Sequence, residues 1–168
     1  MGRVPATRYA TRIGLLAAIY AALTALPPVS SLSYGPVQMR VSEALTVLPY
    51  VAPWAVWGLY LGCIVGNLGS PFWVWDVSLG ALATLCAALA TRKMPRPYLA
   101  PVPPIFVNAV VVSTYVARFS GIPYWLTAVY IGLGEAVVTF GVGYPLLLLI
   151  DKNPGLKEVI LGTGDLSK

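Results

Sequence analysis

The sequence has no histidine and only two cysteines. A Ser-His-Asp triad, a Cys-His nucleophile pair and a His-ligated zinc are therefore unavailable. Cys63 and Cys86 lie inside apolar runs and are too few for a disulfide framework or a thiolate-rich metal site. No G-x-x-x-x-G-K-[ST] occurs, which removes ATP hydrolysis by a P-loop. Charge is the scarcest property of all: Asp, Glu, Lys and Arg make up 10% of the chain, against roughly 25% in soluble domains. Between Ile13 and Thr91, and again between Pro97 and Ile150, only five charged residues occur: Arg40, Glu43, Asp76, Arg118 and Glu135. A soluble core of this size would have to clothe itself in charge, and this one does not. With 58% hydrophobic residues, the chain reads as an integral membrane protein. Its net charge of +5 does not point to nucleic acid, because the Lys and Arg residues lie mostly where cytoplasmic flanks would lie. Neither a cofactor nor a metal is expected.

What is present is a series of apolar runs cut by Pro, Gly and Ser. A spanning helix needs about 20 mostly apolar residues. The runs predict an all-α, six-helix transmembrane bundle forming a single domain, with spans at about 9–26, 42–52, 54–68, 76–91, 99–117 and 124–150 and a short cytoplasmic tail at 151–168. Pro27-Pro28 stops the first segment. Pro49 and Pro53 argue against one helix through that point, and Gly69-Ser70-Pro71 breaks the third segment. The basic residues test the count. Arg3, Arg8 and Arg12 precede the first segment, Arg92, Lys93 and Arg96 follow the fourth, and Lys152 and Lys157 follow the sixth. If these clusters mark the cytoplasm, even numbers of spans must separate them. Four and two satisfy that rule, with both ends inside and Trp73, Trp75 and Trp125 at the outer interface.

Ionisable groups at membrane depth are expensive and tend to face a cavity or a partner. The topology puts Arg40, Glu43, Asn67 and Asp76 at the outer ends of three segments, and Tyr34 and Gln38 on the same side. Glu135 lies about 16 Å below the outer end of the last segment at 1.5 Å per residue, with Asn108 similarly deep in the fifth. This is the pattern of an outward-facing pocket closed at its base. Each residue also has an ordinary structural role open to it. Glu135 can pair with Arg118 or Arg40, and Arg40 can bridge to Glu43 at i, i+3. Asp76 can cap its own helix, Asn67 can cap the third, and Asn108 can make an interhelical hydrogen bond. Trp73 and Trp75 can be interface belt or stacking wall. In the first segment, Gly14, Ala18 and Ala22 form one small-residue row, and Ala17, Ala21 and Ala25 a second. Such rows let another helix approach closely, within the bundle or from a partner.

Several of these stretches carry a family likeness. QMRVSEALT (38–46) leading to LPY, GLYLGCIVGNLGSP (58–71), DVSLGALATLCAALAT (76–91), PPIFVNAVVVS (103–113) and YIGLGEAVV (130–138) resemble the QueT family of queuosine-precursor transporters. The likeness covers roughly Gly14 to Leu149. It implies the substrate-binding S component of an energy-coupling factor (ECF) transporter in the cell membrane. Such a protein binds a scarce metabolite from outside and docks on a T component carried by two ATPase subunits. The missing P-loop agrees with that division of labour, and no covalent chemistry is expected. The implied ligand is a 7-deazaguanine. Its N–H edge suits Glu135 or Glu43, its acceptors suit Asn108, Gln38, Asn67 or Arg40, and its flat ring suits Trp73, Trp75, Tyr130 or Tyr34. An aminomethyl cation would suit Asp76. The alanine rows of the first segment then become the surface that meets the T component. The alternatives are an S component for another vitamin or nucleobase, and a stand-alone ion-coupled transporter with Glu135 as its ion site. An intramembrane enzyme fits least.

Overall fold

A computed structural model describes residues 6–25 and 39–161. The described residues form seven helices and no strand. In order they are α1 (Ala6–Ala25), α2 (Val41–Tyr50), α3 (Ala55–Gly66), α4 (Trp73–Thr91), α5 (Pro97–Ser120), α6 (Tyr124–Lys152) and α7 (Pro154–Leu161). Three of them, α4, α5 and α6, are long and apolar enough to cross a membrane, and α3 is a shorter apolar helix. Six such helices were expected. The shortfall has local causes: Pro49 and Pro53 confine α2, the Gly69-Ser70-Pro71 break limits α3, and Arg8, Thr11 and Arg12 make the first half of α1 polar. Helix α7 occupies the stretch expected to be a plain tail. It folds back on the bundle, where the Trp54 indole N–H donates to the Ile160 carbonyl at 2.9 Å.

Helix α2 is wound as a 3₁₀ helix of 10 residues with Pro49 near its end. The tighter winding rises about 2 Å per residue, so ten residues reach further than an α-helix of the same length. Seven of its side chains are buried, because α2 packs against α1, α3, α4 and α6 together. It is the axis of the bundle. Ten-residue 3₁₀ runs are uncommon on their own, and this one is held by its neighbours on every side. Two π turns, Asp76–Gly80 in α4 and Thr139–Gly143 in α6, flank the same region. Such turns often mark functional sites.

Backbone approach fixes two of the contacts. Gly58, Gly62 and Gly66 line the face of α3 against α1; a Cβ on Gly62 would stand 2.9 Å from the Ala17 carbonyl oxygen and 2.7 Å from the Tyr20 Cβ. A Cβ on Gly143 would stand 2.7 Å from the Ala44 carbonyl oxygen, so α6 touches the backbone of α2. Ala17 and Ala21, one of the two small-residue rows, thus meet α3 inside the bundle. Gly14 and Ala18, in the other row, are exposed, and nothing stands within 4 Å of a Cβ built on Gly14. Replacing Gly62 by Leu is expected to wedge α1 from α3 and destabilise the fold by about 1–3 kcal/mol, the range for overpacking. Gly14→Leu should leave stability unchanged. Thermal unfolding of the two purified variants checks both.

Candidate functional site

Scarce polar groups collect on the inner faces of this bundle. Arg40, Ser42, Glu43, Thr46, Asn67, Ser70, Asp76, Asn108, Ser113, Thr127, Glu135 and Thr139 are all at least nine-tenths buried. A charge withdrawn from water this far must be paired or hydrogen-bonded. The partners sort into two neighbouring groups.

The first group is built on Asp76, at the π turn of α4. Arg40 donates to Asp76 Oδ1 at 2.9 Å, the Tyr115 hydroxyl donates to the same oxygen at 2.6 Å, and Ser70 Oγ donates to Oδ2. Asp76 therefore neither caps α4 through its side chain nor offers an unpartnered oxygen. Arg40 does not bridge to Glu43 at i, i+3: its backbone is extended (φ −92°, ψ 108°), so its side chain leaves the chain before the helical spacing begins. Asn67 behaves as a helix end, with Nδ2 donating to the Cys63 carbonyl at 2.8 Å. Trp75 stacks on Tyr115 with centroids 6.4 Å apart and planes 17° from parallel. It is 42% exposed, and Trp73 53%, so both also face outward as a belt would.

The second group holds two carboxylates without an ion pair of their own among the described residues. The Tyr20 hydroxyl, from α1, donates to Glu43 Oε1 on α2. Asn108 Nδ2, from α5, donates to Glu135 Oε1 on α6 at 2.7 Å. Glu135 pairs with neither Arg118 nor Arg40. Backbone placement is secured from below, since Thr46 Oγ1 donates to the Glu43 carbonyl and Thr139 Oγ1 to the Glu135 carbonyl, both at 2.6 Å. Helices α2 and α6, which carry Glu43 and Glu135, pack directly against one another. The arrangement leaves Glu43 Oε2 and Glu135 Oε2 buried with no hydrogen-bond partner, together with Asn67 Oδ1 and Ser113 Oγ. Unpaired buried oxygens are rare in native structures and each calls for an explanation. Two carboxylate oxygens in one cluster form a strong acceptor set waiting for N–H donors or a cation.

Of the residues singled out from sequence, Arg40, Glu43, Asn67, Asp76, Asn108 and Glu135 are buried. Tyr130 is half-buried on α6, and Gln38 and Tyr34 lie outside the described residues. Tyr20, Ser70 and Tyr115 complete the cluster. Tyr20 carried one signal that reasoning from sequence passed over: with Leu16 and Thr24 at i±4 it makes a bulkier stripe on a helix otherwise rich in alanine. Tyr115 shares its helix face with Asn108 at i+7. Among the described residues no group of His, Cys, Asp and Glu could hold a metal ion.

Comparison with known proteins covers the same ground. The family described as QueT transporter matches residues 10–152, a range that contains every residue of both groups. The protein named queuosine precursor transporter QueT from Lactococcus lactis subsp. cremoris (strain MG1363) is 41% identical over 73 residues, which is 44% of this chain and 43% of that relative. The match thus spans less than half of the relative's length. No solved structure matches significantly. Apolar helices of membrane-crossing length, a buried acceptor cluster and a family match over most of the chain lead to one assignment: the protein is a membrane protein that belongs to the QueT transporter family.

Proposed function

We propose that this protein is the substrate-binding S component of an ATP-driven ECF uptake system, and that its ligand is a queuosine precursor of the 7-deazaguanine type. The observation that carries the reading is the pair of unpartnered oxygens, Glu43 Oε2 and Glu135 Oε2, in a membrane-embedded cluster. A guanine-like edge presents a ring N–H and an exocyclic amine side by side, with a carbonyl oxygen next to them. Glu135 Oε2 accepts from the two N–H groups. Asn108 has spent one amide hydrogen on Glu135 and gives the other to the carbonyl. Glu43, oriented by Tyr20, takes the aminomethyl cation at the seven position. That role passes to Glu43 from Asp76, whose oxygens are occupied by Arg40, Tyr115 and Ser70. With Arg40 matched by Asp76, two carboxylates remain for the ligand, which favours a cation over a neutral nitrile. Trp75, Tyr130 and the segment bearing Gln38 and Tyr34 are candidates for the walls.

The same reading places six crossing elements in the cell membrane with both ends cytoplasmic, following the basic clusters. The Arg40, Asp76 and Tyr115 end then faces outward, where the ligand arrives. Energy comes from a separate T component and two ATPase subunits, since the chain has no P-loop of its own. Gly14, Ala18 and Ala25 are exposed small residues of α1 and Ala22 is half-buried; together they form the docking stripe. Ala17 and Ala21 serve α3 instead. Replacing Ala18 and Ala22 together by Leu is expected to abolish uptake by the assembled transporter while leaving ligand affinity within about twofold. Normal uptake by that variant would defeat the docking role.

The test of the reading is a ligand panel of deazapurines, purines and vitamins titrated calorimetrically against the purified protein. Tightest binding should go to 7-aminomethyl-7-deazaguanine. Saturable binding of an unrelated vitamin alone would replace the ligand assignment. Gradient-driven uptake into vesicles without any ATPase would replace the S-component assignment.

A further inference from the structure

We infer that the cleft between α4 and α5 is a binding site for one phospholipid with a net negative headgroup, centred on Arg118. The cleft has a volume of about 160 Å³ and is lined by Trp75 and Leu79 from α4 and by Thr114, Tyr115, Arg118 and Phe119 from α5. A second hollow of about 230 Å³ continues past Trp75 and Phe119 toward Pro71 and Phe72. Its walls are apolar and stiff: Phe72 stacks on Phe119 with centroids 5.4 Å apart, and Trp75 meets Phe119 at 6.2 Å. Trp75, Leu79 and Phe119 are exposed on the outside of the bundle, where acyl chains would lie.

Arg118 is what sets the headgroup. It is the sole Lys or Arg in the two helices that form the cleft, it is exposed, and it sits in the last turn of α5, just before Gly121 ends the helix in a left-handed conformation (φ 71°). In the topology proposed above, the end of a crossing helix lies at the headgroup layer, which a long basic side chain can reach. Among the described residues no carboxylate pairs with it, and the nearby Asp76 is held by Arg40. Arginine binds phosphate through a planar fork of donors. With no acid lining the cleft to receive an ammonium group, an anionic headgroup is preferred over a zwitterionic one. The cleft contains neither Glu43 nor Glu135 and shares with the proposed ligand site only the candidate wall Trp75, so it stands whatever ligand the carboxylate pair holds.

The experiment is native mass spectrometry of the purified protein in micelles with equimolar palmitoyl-oleoyl phosphatidylglycerol and phosphatidylcholine. Wild type should retain one phosphatidylglycerol per chain at least fivefold over phosphatidylcholine. Arg118→Gln should reduce that ratio to near one, and Arg92→Gln, in the exposed cluster after α4, should preserve it. Leu79→Trp, which fills the cleft without touching the cation, should lower retention of both lipids. Equal retention of the two lipids by wild type, or an unchanged preference in Arg118→Gln, would overturn the inference.

Discussion

Glu135→Gln is expected to weaken 7-aminomethyl-7-deazaguanine binding by at least tenfold, measured by titration calorimetry on the purified protein. The expectation follows from the free oxygen. Glu135 Oε1 already accepts from Asn108, and Oε2 has no partner, so the substitution acts on the atom offered to the ligand. A charge-assisted hydrogen bond contributes about 1.5–3 kcal/mol, and a factor of ten corresponds to about 1.4 kcal/mol. Glutamine keeps the size of the side chain, yet one orientation of its amide sets a donor against the ligand's donors and the other disrupts the bond from Asn108. The fold should survive, because removing a buried carboxylate that has no counter-ion of its own also removes a desolvation cost. Lost affinity with retained unfolding temperature is the expected signature.

Asp76→Asn should have the opposite signature. Asp76 holds Arg40, Tyr115 and Ser70, and the Arg40 guanidinium is 5% exposed. Taking away the carboxylate removes the charged partner of a buried cation, a kind of change that typically destabilises by about 3–5 kcal/mol. Three elements meet at this point: the segment entering α2, the turn before α4, and the C-terminal half of α5. Their relative placement depends on one side chain. Thermal unfolding in detergent should show a large drop for Asp76→Asn and a small one for Ser70→Ala, which removes a single donor worth about 1 kcal/mol. Equal unfolding temperatures for Asp76→Asn and wild type would show that Arg40 has another adequate partner.

The polar residues of the site were legible in the sequence because charge at membrane depth is scarce, and Arg40, Glu43, Asp76 and Glu135 stood out against long apolar runs. Their partners were less so. Neighbour spacing offered Arg40 to Glu43, whereas the extended backbone at Arg40 and the 3₁₀ winding of α2 send it across to α4. Tyr20 was hidden among alanines, where an aromatic residue reads as packing. The two small-residue rows of α1 looked equivalent on a helical wheel. Only the glycines of α3 decide that Ala17 and Ala21 face inward. The breaks around α2 and α3 followed from Pro49, Pro53 and Gly69-Ser70-Pro71, but breaks also shorten helices. Hydropathy could find the apolar runs without showing that, among the described residues, three helices reach spanning length. Helix α7 is only eight residues long, and its anchor, a Trp54 indole to the Ile160 carbonyl, joins residues too far apart in sequence for any periodic pattern to connect.

The most direct test of carboxylate recognition compares two ligands on two proteins: 7-aminomethyl-7-deazaguanine and the same base without its exocyclic amine, each titrated calorimetrically against wild type and Glu135→Gln. Wild type should discriminate against the amine-less base by at least tenfold, and Glu135→Gln should bind both weakly with little difference between them. If wild type binds the two bases equally, or if Glu135→Gln keeps the full discrimination, the edge of the ligand is not read by Glu135 and the account of this site is wrong.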